Sequence, residues 1–225
     1  MGTLFLVRHG QASFGADDYD ALSPLGHRQS KRLGEYLKTK GLAFEAALTG
    51  SLNRQVQTFD GICEGLGLDA GALPHTRWPG LNEYDSAAVI AAIHPHPLAK
   101  PNTPELYRQY FRLLKDGLAQ WMAGVVSPRG MPSYDEFVAG VNQALNHVRM
   151  QHKGAVLLVS SGGPIATAVG QVLGTSPETT IELNLRIRNS SVTEFAFTPK
   201  RHMLVTYNTL PHLDGLEHAD WVSYA

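Results

Sequence analysis

A chain of 225 residues, 43% of them hydrophobic, can bury a substantial core and still fit a single α/β domain spanning residues 1–225. Its formal net charge of −1 gives no broad cationic face for nucleic acid or an anionic membrane, so a small anion would need a local cluster of Arg and His. The lone cysteine, Cys63, excludes an intrachain disulfide and a multi-cysteine zinc site, and no apolar run approaches the length of a bilayer span.

Met1-Gly2-Thr3 enters a strand directly, with neither a basic n-region nor a long apolar h-region, and a soluble, reducing, cytoplasmic setting is expected. Thr3 to Val7 (TLFLV) is an apolar run suited to a buried strand, and it ends at Arg8-His9-Gly10. Ser23-Pro24 supplies an N-cap and a first-turn proline for a helix that carries Leu25, Leu33, Tyr36 and Leu37 and stops near Gly41. Ala46 to Thr49 predicts a second strand, followed by Gly50-Ser51 and a helix bearing Val56, Phe59, Ile62 and Leu66; Cys63 lies in that helix as a core thiol. Residues 70 to 101, rich in Pro, Gly and His, read as a long irregular excursion over the sheet, the kind of segment that more often carries function than not.

Thr103-Pro104 opens an amphipathic helix whose stripe of Leu106, Tyr107, Tyr110, Phe111, Leu114, Leu118, Trp121 and Met122 predicts core packing. Ser133 and Glu136 form a capping box for the next helix, with Phe137, Val141, Leu145 and Val148 on its inner face. Ala155 to Ser160 (AVLLVS) is a second fully apolar strand, and Ser161-Gly162-Gly163 turns it into a helix beginning at Pro164. Val192 to Phe197 and His202 to Tyr207 are expected to pair through a turn around Pro199-Lys200. The alternation predicts a three-layer α/β sandwich, a mostly parallel central sheet with helices on both faces.

Four segments carry chemistry. Arg8-His9-Gly10 follows a buried strand, where open α/β sheets bind ligands; the arginine offers a planar fork of donors and a neutral imidazole can attack phosphorus. Arg54, in the first turn of a helix that also follows a strand, can join Arg8 on an anion. Glu83, in the excursion, can protonate a leaving oxygen if burial raises its pKa, and Asp85 is an alternative for that task. Ser161 and Gly162 lie at a helix N-terminus whose amides suit a phosphate. Ser13, close to the first segment, can add a hydroxyl. His94-Pro95-His96-Pro97 has no carboxylate or cysteine to complete a metal site, and neither a dinucleotide glycine pattern nor Gly-x-Ser-x-Gly is present.

Taken together, these segments resemble the histidine phosphatase superfamily, the group related to phosphoglycerate mutase. The resemblance covers nearly the whole chain: Arg8-His9-Gly10, Leu22-Ser23-Pro24-Leu25-Gly26 with Gln29, Ser51-Leu52 with Arg54 and Thr58, Leu81 with Glu83, and the ending Asn208-Thr209-Leu210-Pro211-His212-Leu213. It implies that His9 forms a phosphohistidine, that Glu83 is the proton donor, and that Arg8 and Arg54 neutralise the transferring group without a metal or other cofactor. The implied substrate is a small phosphomonoester or a phosphoprotein, and nothing in the sequence fixes the oligomeric state. One position departs: the second histidine usual in this family is replaced by Ser161, which can donate a hydrogen bond but brings no positive charge. The resemblance therefore leaves open a phosphatase, a mutase, and a phosphate- or phosphoprotein-binding module of low activity. It also allows His212 to fill the place of the missing imidazole.

Overall fold

The computed structural model describes residues 1–13, 20–69, 71–96, 98 and 102–224. Its six-stranded sheet has the order β3-β2-β4-β1-β5-β6. Strands β1 (Gly2–Arg8), β2 (Phe44–Thr49), β3 (His75–Arg77) and β4 (Ala155–Ser160) run parallel, while β5 (Val192–Thr198) and β6 (Arg201–Thr209) return antiparallel beyond β1. The two apolar runs read from the sequence are the two central strands, paired from Thr3↔Ala155 to Arg8↔Ser160. That register brings Arg8-His9 and Ser160-Ser161 to the same edge.

Both faces of these strands are covered, which explains why they are continuously apolar rather than alternating. Leu4, Leu6, Val156 and Leu158 point to one core; Phe5, Val7, Leu157 and Val159 point to the other. The second core is closed by α1 (Pro24–Thr39) and α2 (Asn53–Leu66), through Leu33, Leu37, Phe59 and Ile62. The first is closed by α3 (Ser86–Ile93), α4 (Pro104–Met122), α5 (Tyr134–Gln151), α6 (Gly162–Leu173) and α7 (Pro177–Arg186). Each fully buried aliphatic side chain contributes about 1.5–3 kcal/mol, so the paired cores hold the central strands rigidly beneath the site. Cys63 packs against the α1–α2 core, where burial pushes its thiol up to about 11.

Several expectations need correction. The excursion over 70–101 is not irregular throughout: it contains the edge strand β3, a 3₁₀ turn at Pro79–Leu81, and α3. Asp85 starts α3 by accepting the amides of Ala87 and Ala88, and the eight-residue apolar run SAAVIAAI has no polar face to betray a helix. Helix α7 was not foreseen, although Ser176-Pro177 has the same cap-and-proline start as Ser23-Pro24. Helix α6 begins at Gly162 rather than Pro164. The stripe of α4 enters the core only in its second half: Leu114, Leu118 and Trp121 are buried, whereas Tyr107 and Phe111 are 39% and 37% exposed. Among the described residues no helix is long and apolar enough to cross a membrane.

Candidate active site

At the carboxyl edge of the parallel strands lies a cavity of about 310 Å³. Arg8, His9, Arg54 and Glu83, which come from three separate segments, all line it. Arg8 and His9 leave β1 together, and both are buried, at 6% and 4% exposed. The chain can turn there because Gly10 packs directly on α1: a Cβ on Gly10 would sit 2.5 Å from the carbonyl oxygen of Gly26. Thr58 ties the same corner to α2, accepting the Gly10 amide at 3.0 Å and donating to the Arg54 carbonyl at 2.7 Å.

The tautomer of His9 follows from its partners. Nδ1 lies 2.7 Å from the Gly10 carbonyl oxygen, which can only accept, so Nδ1 carries the proton. Nε2 is then a lone pair, and Arg54 Nε donates to it at 3.2 Å. Burial, followed by the positive charges of Arg8 and Arg54, holds the imidazole well below its ordinary pKa, outweighing the Gly10 carbonyl, which acts in the opposite sense. A neutral imidazole whose Nε2 lone pair carries no proton is the form that can attack phosphorus.

Arg54 is oriented by Asp20, whose carboxylate accepts Arg54 Nη1 at 2.7 Å and the Asn53 amide at 2.8 Å. Arg8 donates to the Ile187 carbonyl at 2.5 Å, which ties it to the end of α7. Glu83 also lines the cavity. Burial raises its pKa, against the lowering effects of the Gly163 amide, Arg8 and Arg54. That amide, in the first turn of α6, donates to both carboxylate oxygens at 3.1 and 3.2 Å. Contact is so close that a Cβ on Gly163 would lie 2.3 Å from Glu83 Oε1.

The other expected site residues are placed differently. Ser161 is fully buried, its hydroxyl accepting Gln55 Nε2 at 2.9 Å, and neither it nor Gly162 lines the cavity. At the α6 N-terminus the Gly163 amide is given to Glu83. Asp85 is the cap of α3 and is exposed away from the cavity. Ser13 is held by its backbone amide to the Ala21 carbonyl and is also off the cavity wall; residues 14–19 lie outside the described residues. His212 does not replace the missing imidazole. Its Nε2 meets Ser190 Oγ at 2.9 Å behind His9, whose carbonyl accepts the Ser190 amide, and burial pushes His212 down to about 3. His94 and His96 belong to no group that could hold a metal among the described residues, and Pro97 lies outside them.

Gln55 is the residue the motif contained without revealing its task. Fully buried, it donates to both Ser161 Oγ and the Leu81 carbonyl, and Ser160 Oγ donates to that same carbonyl at 2.7 Å. Three corners of the site are thereby fastened, and the segment leading to Glu83 is held from two sides. The space beside Ser161 is occupied by this network. Ser161→His is accordingly expected to lower turnover and cost about 1–3 kcal/mol of stability through overpacking. Thermal melting and steady-state assays check this, and a faster, equally stable variant would show that the position had room for the ring.

The histidine phosphatase superfamily (branch 1) family model matches residues 4–210. The chain belongs to this superfamily. A 2,3-bisphosphoglycerate-dependent phosphoglycerate mutase of Mesorhizobium japonicum is 38% identical over 90 residues, a match spanning 37% of this chain and 42% of the relative, so less than half the length of that relative is covered. Among solved structures, the phosphoserine phosphatase of Entamoeba histolytica in complex with 3-phosphoglyceric acid is similar, with a TM-score of 0.64 at 20% identity over 95% of this chain and 100% of the other. A mycobacterial glucosyl-3-phosphoglycerate phosphatase complexed with VO3 gives a TM-score of 0.65 at 21% identity, covering 93% of this chain and 100% of the other. At such identities the structural likenesses speak for the histidine phosphatase fold, a sheet with helices on both faces.

Proposed function

We propose that this histidine phosphatase superfamily member hydrolyses phosphomonoesters through a phosphohistidine on His9. The reading rests on one observation above all: the unprotonated Nε2 of a neutral His9 faces a cavity shared with Arg8, Arg54 and Glu83. In the first step Nε2 attacks phosphorus, the bond from phosphorus to the ester oxygen breaks, and Glu83 gives its proton to the departing oxygen. In the second step water attacks the phosphohistidine, Glu83 takes the proton from that water, and inorganic phosphate leaves with His9 restored. Arg8 and Arg54 offset the charge on the non-bridging oxygens throughout, the largest contribution expected in such a site. The raised pKa of Glu83 suits this cycle, since one group must be acid first and base second.

Incubation with p-nitrophenyl phosphate tests the proposal: p-nitrophenol and inorganic phosphate should appear in equal amounts without added metal. No release would rule the activity out. A mutase is the second reading, favoured by the aligned segment shared with the bisphosphoglycerate-dependent enzyme. Supplying 3-phosphoglycerate with a 2,3-bisphosphoglycerate primer separates the two, because a mutase returns the phosphoryl group to the sugar acid and a phosphatase delivers it to water.

A further inference from the structure

Beyond Arg8, His9, Arg54 and Glu83 the cavity is lined largely by rings and aliphatic chains, with Ser86 and Asn184 among them. Tyr107, Tyr110 and Phe111 come from the first turns of α4, Tyr84 follows Glu83, Leu185 comes from α7, and Tyr224 from the C-terminal segment. The C-terminal segment is anchored beside the site: Ser223 donates its hydroxyl to Asn189 and accepts Gln29 Nε2, and its carbonyl accepts the Asn189 amide. Two of the hydroxyls on this wall are engaged within the protein. Tyr110 donates to Ser86 at 2.9 Å, and Tyr84 accepts Asn184 Nδ2 at 2.7 Å.

Two further facts give the wall a direction. Tyr107 and Phe111 remain more than a third exposed although they continue the same stripe as the buried Leu114 and Leu118, so apolar surface is left open to the cavity. Among the described residues that line the cavity, the cationic side chains are Arg8 and Arg54, and both stand at the His9 end. A second phosphate or a carboxylate on the ester's alcohol would have to sit against these rings with no opposite charge beside it, at a steep desolvation cost.

We propose, building on the phosphatase reading of this same site, that its substrates are phosphomonoesters of bulky apolar alcohols bearing an aromatic ring. Esters whose alcohol carries another anionic group are poor substrates. The phosphoryl group occupies the Arg8–His9–Arg54 end, and the alcohol covers the open faces of Tyr107 and Phe111, as offset or edge-to-face aromatic contacts favour.

The test compares kcat/KM for benzyl phosphate, glycerol 3-phosphate and 3-phosphoglycerate, three primary-alcohol esters that make similar demands on the proton donor. Burial of the ring should favour benzyl phosphate over glycerol 3-phosphate by about tenfold or more, with 3-phosphoglycerate the poorest of the three. Equal or better hydrolysis of 3-phosphoglycerate overturns the substrate class while leaving the phosphatase reading intact. Absence of release from all three esters and from p-nitrophenyl phosphate overturns both. Phe111→Ala, at an exposed position, should raise the KM for benzyl phosphate about fivefold and so narrow its advantage over glycerol 3-phosphate. A proportional loss for both esters would show that the ring does not read the alcohol.

Discussion

His9→Ala should lower kcat/KM by about 10⁴-fold or more, because a nucleophile removed from a site whose parts act as a unit takes nearly the whole rate with it. The same substitution should leave the fold standing. The imidazole is buried in its neutral form, its pKa depressed by burial and by two arginines, so its removal leaves no buried charge without its counter-ion, and Arg54 keeps Asp20. Rapid quenching of the unaltered protein with a phosphomonoester should trap phosphate in an acid-labile, alkali-stable linkage, and His9→Ala should trap none. Retention of turnover by the variant, or an unchanged phosphoprotein yield, would place the nucleophile elsewhere.

Glu83→Gln is expected to divide substrates by their leaving groups. For p-nitrophenyl phosphate the departing phenoxide needs little help, and kcat/KM should fall by no more than about tenfold. For an alkyl ester such as benzyl phosphate the loss should reach about 10²–10⁴-fold, the span of a positioned general acid. The second step needs Glu83 as base for every substrate, so phosphohistidine should accumulate and p-nitrophenol should appear as a burst. pH carries a further signature. A His9 pKa below the ordinary value keeps the imidazole reactive as pH falls through the usual histidine range, and a raised Glu83 pKa keeps its proton as pH rises past the usual carboxylate range. The kcat/KM profile for an alkyl ester should therefore show an alkaline limb that belongs to Glu83 losing its proton and that disappears in Glu83→Gln. A flat response to leaving-group pKa, or an alkaline limb that survives, would remove Glu83 from the acid role.

The parts of this arrangement legible in the sequence are those fixed by local chemistry. TLFLV and AVLLVS are short apolar runs suited to strands buried on both faces, and the residues that follow them emerge at one sheet edge. Ser23-Pro24 and Ser133 with Glu136 announced their helices by satisfying amides that would otherwise lack partners. Strand β3 was hidden because three residues carry no periodicity, and α3 because an all-apolar run has no face. Arg8, His9, Arg54 and Glu83 were legible as a set through their order along the chain. Gln55, Asp20 and Asn184 were not, since their tasks exist only once distant corners meet. Tyr107 and Phe111 illustrate the limit of periodicity. It reports that residues share a side of a helix, and is silent on whether that side meets a packed interior or an open cavity.

Leu81 lends its carbonyl to both Gln55 and Ser160, so Glu83, two residues later, is moored to α2 and β4 and not to the excursion that contains it. Chain added or removed between Ile93 and Pro104 would leave the spacing of His9 and Glu83 untouched while reshaping the approach of α4, and with it the aromatic wall. On the proposed reading, the groups that handle the phosphoryl unit and the part of the wall that α4 supplies are thus carried on separate segments. Such a scaffold can be refitted to a different ester by edits that never touch the groups handling the phosphoryl unit.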